Sequence, residues 1–215
     1  SSERALGLDM TLRHISKRVR LEASAYANQM DGFIHAFPTR DTLVTIRGVF
    51  PAFQHQQADA VLRGVDGQVE IDLTPWLALG TTASLVRASN TEADIPLIGM
   101  PSDRLTFHST VALFEGGRLR TSALRPELTL VRKQSCGPEG VDYAPPPDGY
   151  ALLGLRYDAD LQIGRTPLQV GLAIHNLFNT RYRDYLSRWR YFIDEPGRTV
   201  VLRLRVPFGT VVAGE

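Results

Sequence analysis

A single cysteine, Cys136, stands among 215 residues, so no internal disulfide framework braces this chain. It lies in the turn-rich segment Ser135-Cys-Gly-Pro-Glu-Gly140, where an idle thiol is the plain reading and a bond to a partner outside this segment the alternative. No apolar run approaches the ~20 residues that a spanning helix needs. Charge of one sign is equally scarce: 24 Lys and Arg face 23 Asp and Glu. Phosphate-backbone binding needs a clustered basic excess, so nucleic acid is not an expected partner. The opening Ser1-Ser-Glu-Arg4 carries no basic stretch followed by an apolar one. An exported protein would therefore have lost its leader, or the chain is a piece of something longer. Catalytic signatures are missing too, with no Gly-x-Ser-x-Gly elbow, no phosphate-binding Gly-Lys-Ser/Thr loop and no Cys/His zinc set. A non-enzyme without a resident cofactor is expected.

What the chain has instead is alternation. In Thr199-Val-Val-Leu-Arg-Leu-Arg-Val-Pro-Phe208, the residues Val200, Leu202, Leu204, Val206 and Phe208 share one face, and Arg203 and Arg205 point to the other. An unbroken apolar stripe backed by arginines suits a strand with hydrocarbon outside and water or polar protein inside. Eight further segments read the same way once turn residues bound them. They run near Ala5 to His14, Val19 to Phe37, Phe53 to Leu73, Trp76 to Ser89, Arg104 to Phe114, Leu119 to Lys133, Tyr150 to Ile163 and Leu168 to His175. Pro126 cannot donate to a ladder and is expected at a bulge in the sixth or beyond the regular sheet.

Short and long connections alternate. Turns at Ser16, Pro75, the Glu115-Gly-Gly-Arg118 stretch and Gly164 are brief; the segments between them, including the rigid Tyr143-Ala-Pro-Pro-Pro-Asp-Gly149, are long. Outer-membrane barrels show this rhythm, with short turns toward the periplasm and long loops outside. Residues facing lipid and lumen average out, so 43% hydrophobic and 22% charged residues are compatible with a barrel wall. Nine strands is an odd number, and two open edges in hydrocarbon would leave about ten backbone groups unpaired at several kcal/mol each. The predicted fold is therefore all-β, an antiparallel up-and-down transmembrane barrel that is not closed on its own.

Preceding the last strand are Asn176-Leu-Phe-Asn-Thr180, then Arg181-Tyr-Arg-Asp-Tyr-Leu186, then Glu195-Pro-Gly-Arg198. Together with the terminal strand this order resembles the end of a TonB-dependent outer-membrane receptor. The likeness is specific from Asn176 to Phe208 and elsewhere rests on strand rhythm. It implies that residues 1–208 form the C-terminal third of a barrel of about 22 strands, with residues 209–215 a short tail beyond the family's usual aromatic end. It also implies an outer-membrane location in a Gram-negative bacterium and uptake of a scarce nutrient chelate, most often a ferric siderophore. Haem, cobalamin, a metal ion or a carbohydrate would also fit. Expected partners are outer-membrane lipid and the TonB–ExbB–ExbD complex, the latter reached through an N-terminal plug. The rivals are a passive porin-type channel, an outer-membrane enzyme with its triad on the lumen face, and a soluble ligand-binding β-barrel, which would put Leu202 and Leu204 inside.

Candidate ligand contacts lie in the loops. Residues 181 to 192 hold four arginines and five aromatics. A structured external loop with an aromatic rim accounts for this. A sharper reading has Arg188 and Arg190 gripping an anionic ligand or lipopolysaccharide phosphates. Arg181 and Arg183 are expected to pair with Asp184 or Asp194. Of five dispersed histidines, His35 and His55 could approach each other across the second hairpin and take a metal chelate or haem; no spacing marks a metal site.

Overall fold

The computed structural model describes residues 2–114, 116–138, 140–164 and 166–207. Ten strands form one antiparallel sheet: β1 (Arg4–Ile15), β2 (Val19–Thr45), β3 (Gly48–Thr74), β4 (Leu77–Asn90), the two-residue β5 (Ile95–Pro96), β6 (Arg104–Ala112), β7 (Leu119–Val131), β8 (Tyr150–Ile163), β9 (Thr166–His175) and β10 (Thr199–Arg205). Each long strand pairs with its sequence neighbours, in the order β1-β2-β3-β4-β6-β7-β8-β9-β10, and β5 pairs only with β4. The nine long strands are those that the alternation predicts. Phe208, the 209–215 tail and Glu115 of the expected turn lie outside the described residues.

The register carries one apolar stripe across the whole sheet. Leu12, Met10 and Leu8 of β1 stand opposite Ala23, Ala25 and Ala27 of β2. At the far edge Val200, Leu202 and Leu204 stand opposite Ile174, Leu172 and Val170. These side chains have no protein cover: Leu8 is 68% exposed, Met10 69%, Leu202 64% and Leu204 62%. A water-soluble monomer does not present so large an apolar surface, and a soluble barrel would bury it. Correspondingly, among the described residues there is no extended interior core, and the buried hydrophobic cluster is a small one of Ala60, Ala88 and Leu97, packed by Phe33, Leu62 and Met100.

On the opposite face the charges are paired, mostly across strands. Arg13 donates to Glu22 at 2.9 Å, Arg20 reaches Asp72 at 3.0 Å and Glu70 at 3.2 Å, and Asp158 accepts from Arg156 at 2.7 Å and Arg125 at 3.3 Å. Pairs this open contribute little each. Their value is in showing which face is polar.

Two details depart from the sequence reading. The expected loop between Phe37 and Phe53 is a continuation of the β2–β3 ribbon, closed by Ile46 and Arg47, because Thr42 to Thr45 pair with Gly48 to Pro51. At 27 residues each, both strands far exceed the ~9–11 needed to span a bilayer. Pro126 makes no bulge: it stays in register with Leu155 on β8. Its missing donor falls on the β6 side, where pairing lapses between His108↔Glu127 and Val111↔Leu124.

Candidate functional site

The 23 residues between β9 and β10 are clasped at their base by the Asn-Leu-Phe-Asn and Pro-Gly-Arg segments. Asn176 and Asn179 both take positive φ, 50° and 56°, a region that asparagine tolerates better than most residues. The Asn176 side chain accepts from the Thr180 N–H and donates to the Thr180 carbonyl, both at 2.8 Å. Asn179 Oδ1 accepts from the Arg198 N–H at 2.9 Å, and Arg198 Nε donates to the Leu177 carbonyl at 2.7 Å. Gly197 has to be bare here, since a Cβ would lie 2.4 Å from Asn179 Oδ1.

Above this clasp the loop folds back over the polar face. Asp184 accepts from Arg104 at 3.1 Å and from the Tyr150 hydroxyl at 2.8 Å, and Tyr182 packs on Tyr150 with ring centres 4.5 Å apart. Arg183 pairs with Asp194 at 2.7 Å, one of the two expected pairings, and also donates to the Arg190 carbonyl.

A short 3-10 turn, Arg188–Tyr191, then presents its side chains in opposite ways. The Arg190 guanidinium is buried between the rings of Tyr185 and Tyr191, 4.5 Å from each centre, and is ion-paired with Asp142 of the β7–β8 connection. Tyr191 donates to the same carboxylate at 2.7 Å. Burial and that hydrogen bond push the Tyr191 hydroxyl well above its ordinary pKa. Tyr143, next to Asp142, donates to the Asp41 carbonyl at 2.7 Å and accepts from the Ala52 N–H at 3.1 Å. The β7–β8 and β9–β10 connections and the outer part of the β2–β3 ribbon thereby meet at one point.

Between them opens a cavity of about 420 Å³ whose lining includes Phe50, Phe53, His55, Ile98, Arg188 and Phe192. That volume accommodates a small-molecule ligand. Arg188 is exposed beside it, with no hydrogen bond or ion pair among the described residues. A larger cavity of about 500 Å³ lies on the polar face between His108, Arg125, Asp158 and Arg203, where Asp158 already holds Arg125.

Of the four residues proposed from the sequence, His55, Arg188 and Arg190 line the same cavity, though the Arg190 charge is held by Asp142. His35 does not join them. Its register partner is Gln56, whereas His55 stands opposite Ala36, so the two histidines occupy opposite faces of the ribbon. His35 stacks on Phe33 and meets Phe37 edge-on, both at 6.2 Å. The expectation that His35 and His55 converge is corrected by this one-residue offset. Among the described residues no three His, Cys, Asp or Glu side chains gather as a metal site. Tyr143, Tyr185 and Asp142 escaped sequence reasoning because only the loop packing brings them to the site.

No family model and no curated protein sequence matches the chain. Solved structures do. The copper transporter OprC superposes with a TM-score of 0.75 at 19% identity, over 94% of this chain and 30% of its own. The fold is that of a TonB-dependent receptor barrel. The FrpB iron transporter from Neisseria meningitidis matches at 0.67 and 14% identity, over 93% of this chain and 30% of that one. A variant of the ferric enterobactin receptor PfeA from Pseudomonas aeruginosa matches at 0.64 and 16%, over 94% and 31%. The chain thus spans about a third of the length of the receptors it resembles. These neighbours are transporters and receptors, not enzymes.

Proposed function

We propose that this chain is the C-terminal portion of an outer-membrane receptor barrel that takes up a scarce nutrient chelate, a ferric siderophore first among the candidates, with energy delivered by TonB, ExbB and ExbD through an upstream plug. The observation that carries the reading is the pairing of an uncovered apolar stripe with an aromatic, arginine-bearing cavity at the long-loop end of the same sheet. Lipid covers the stripe; the cavity faces the outside. Phe50, Phe53 and Phe192 offer ring faces and Arg188 a free cation, a lining suited to an anionic, ring-bearing chelate.

A porin-type channel shares the outer stripe but needs neither an energy source nor a high-affinity mouth. The deciding experiment is uptake of labelled ferric siderophores by cells that express the full-length receptor, with and without TonB. Saturable uptake lost on TonB deletion supports the proposal. Transport that persists unsaturated without TonB would establish a passive channel instead.

A further inference from the structure

Three arginines break the apolar stripe toward the same end of the sheet. On β3 the outward series Ile71, Val69, Val65 ends at Arg63; on β4 the series Leu79, Leu85 ends at Arg87; on β7 the series Leu128, Leu130 ends at Arg132, one residue past the strand. Arg63 and Arg87 are direct register partners. The Arg132 N–H donates to the Asp103 carbonyl at 2.9 Å, which places Asp103 in the same outward row. All four residues lie toward the long connections, where a barrel wall leaves hydrocarbon and meets headgroups.

Charge at this end does not balance. Among the described residues Asp103 is the one carboxylate ion-paired with any of these arginines; Arg87 holds it at 2.7 Å and Arg132 stands 4.0 Å away with a side chain 73% exposed. Arg63 is exposed and makes no hydrogen bond or ion pair among the described residues. One carboxylate for three guanidinium groups leaves a surplus of about two positive charges on a surface otherwise shaped for lipid. Snorkelling alone would account for a single arginine, whereas here Arg63 stands beside Arg87 across the β3–β4 pair and Asp103 joins Arg87 to Arg132, so that the three form a two-dimensional anion cradle.

The geometry points to a binding site for the phosphate group of an outer-leaflet lipid, built by Arg63, Arg87 and Arg132, with the acyl chains lying along the stripe below. It rests on the outer-membrane reading. Guanidinium groups grip phosphate oxygens bidentately, and basic residues at the headgroup level gain from anionic lipid. A polar loop in the same place would need no arginine facing outward.

The test uses the full-length receptor, wild type and Arg63→Gln/Arg132→Gln, a variant that keeps the Arg87–Asp103 pair. Both are reconstituted into vesicles of phosphatidylcholine alone and of phosphatidylcholine with a tenth part phosphatidic acid, about 10%. They are then extracted in mild detergent, and the bound lipid is counted by native mass spectrometry. Wild type is expected to retain phosphatidic acid over phosphatidylcholine, and the variant to lose about tenfold or more of that preference. Equal retention by both proteins overturns the site while leaving the receptor reading intact. Release of the lipid by millimolar inorganic phosphate would assign the cradle to a free ion and overturn it as a lipid site. Failure of either protein to float with phosphatidylcholine vesicles would take down the membrane reading itself, and this inference with it.

Discussion

Tyr26 on β2 and Gly64 on β3 are register partners, and the tyrosine ring lies on the glycine's bare backbone: a Cβ at Gly64 would sit 2.2 Å from the ring's Cζ and hydroxyl oxygen. The same arrangement recurs where the His108 ring covers Gly80, with 2.2 Å to Nε2. Both glycines leave room on the polar face for an aromatic side chain to lie flat across the neighbouring strand. Gly64→Ala should therefore push the Tyr26 ring off its seat and cost about 0.5–1.5 kcal/mol, the scale of a displaced rotamer. Denaturant unfolding of the full-length protein in lipid vesicles measures this, and an unchanged midpoint would refute the close contact. Gly67, whose nearest such atom is a backbone oxygen at 4.0 Å, should tolerate alanine far better.

The two faces of β10 make opposite demands. Leu204, 62% exposed and opposite Val170, is on the apolar stripe that the proposed function turns toward hydrocarbon; Arg205 is on the other face. Leu204→Arg should cost about 2–4 kcal/mol near the bilayer midplane, and Arg205→Leu much less. The same vesicle unfolding experiment compares them. Equal costs would refute this orientation.

At the candidate site two arginines of one 3-10 turn should separate cleanly. Arg190 and Asp142 are both nearly buried, with side-chain exposures of 6% and 9%. Arg190→Ala would leave that carboxylate buried without its cation and should destabilise the loop assembly by about 3–5 kcal/mol. Limited proteolysis within residues 176–198 reads this out. Arg188 is free, so Arg188→Ala should leave proteolysis unchanged and weaken binding of an anionic chelate severalfold, measured by titration. A variant at Arg188 that unravels the loop, or one at Arg190 that does not, contradicts these assignments.

Strands were legible in the sequence because their signal is local. Alternation in Thr199 to Arg205 or Tyr150 to Ile163 needs no distant partner, and the turns at Ser16 and Pro75 declare themselves. The site was legible only in part. Arg188 and Arg190 could be nominated from composition, but nothing local says that one is free and the other is held by Asp142, 48 residues away. His35 and His55 failed to converge because facing depends on pairing register, and a bulge between Met30 and Phe33 shifts that register by one residue. The terminal motif had a meaning that sequence alone did not supply: Asn179, Gly197 and Arg198 interlock to close the loop at its base.

The Tyr191 clasp should give the loop a pH limit on the alkaline side. The hydroxyl is neutral in the folded loop, donating to Asp142 at 2.7 Å, and its pKa is raised above the ordinary 10.0, first by burial and then by that bond. For an acid whose folded value is raised, the neutral form is the one that folding favours. Its stabilisation is therefore complete below pH 10 and is lost as pH rises above it, because the unfolded tyrosine ionises first. Loop protection from protease should hold through neutral pH and fall above pH 10, and tyrosinate absorbance should show Tyr191 titrating late in the wild type. Tyr191→Phe keeps the ring against Arg190 and removes the proton, so its protection should lose the share of this alkaline dependence that Tyr191 carries, while Tyr182 and Tyr185, also raised by burial, retain theirs. Identical alkaline profiles for the two proteins would show that the limit lies in another group.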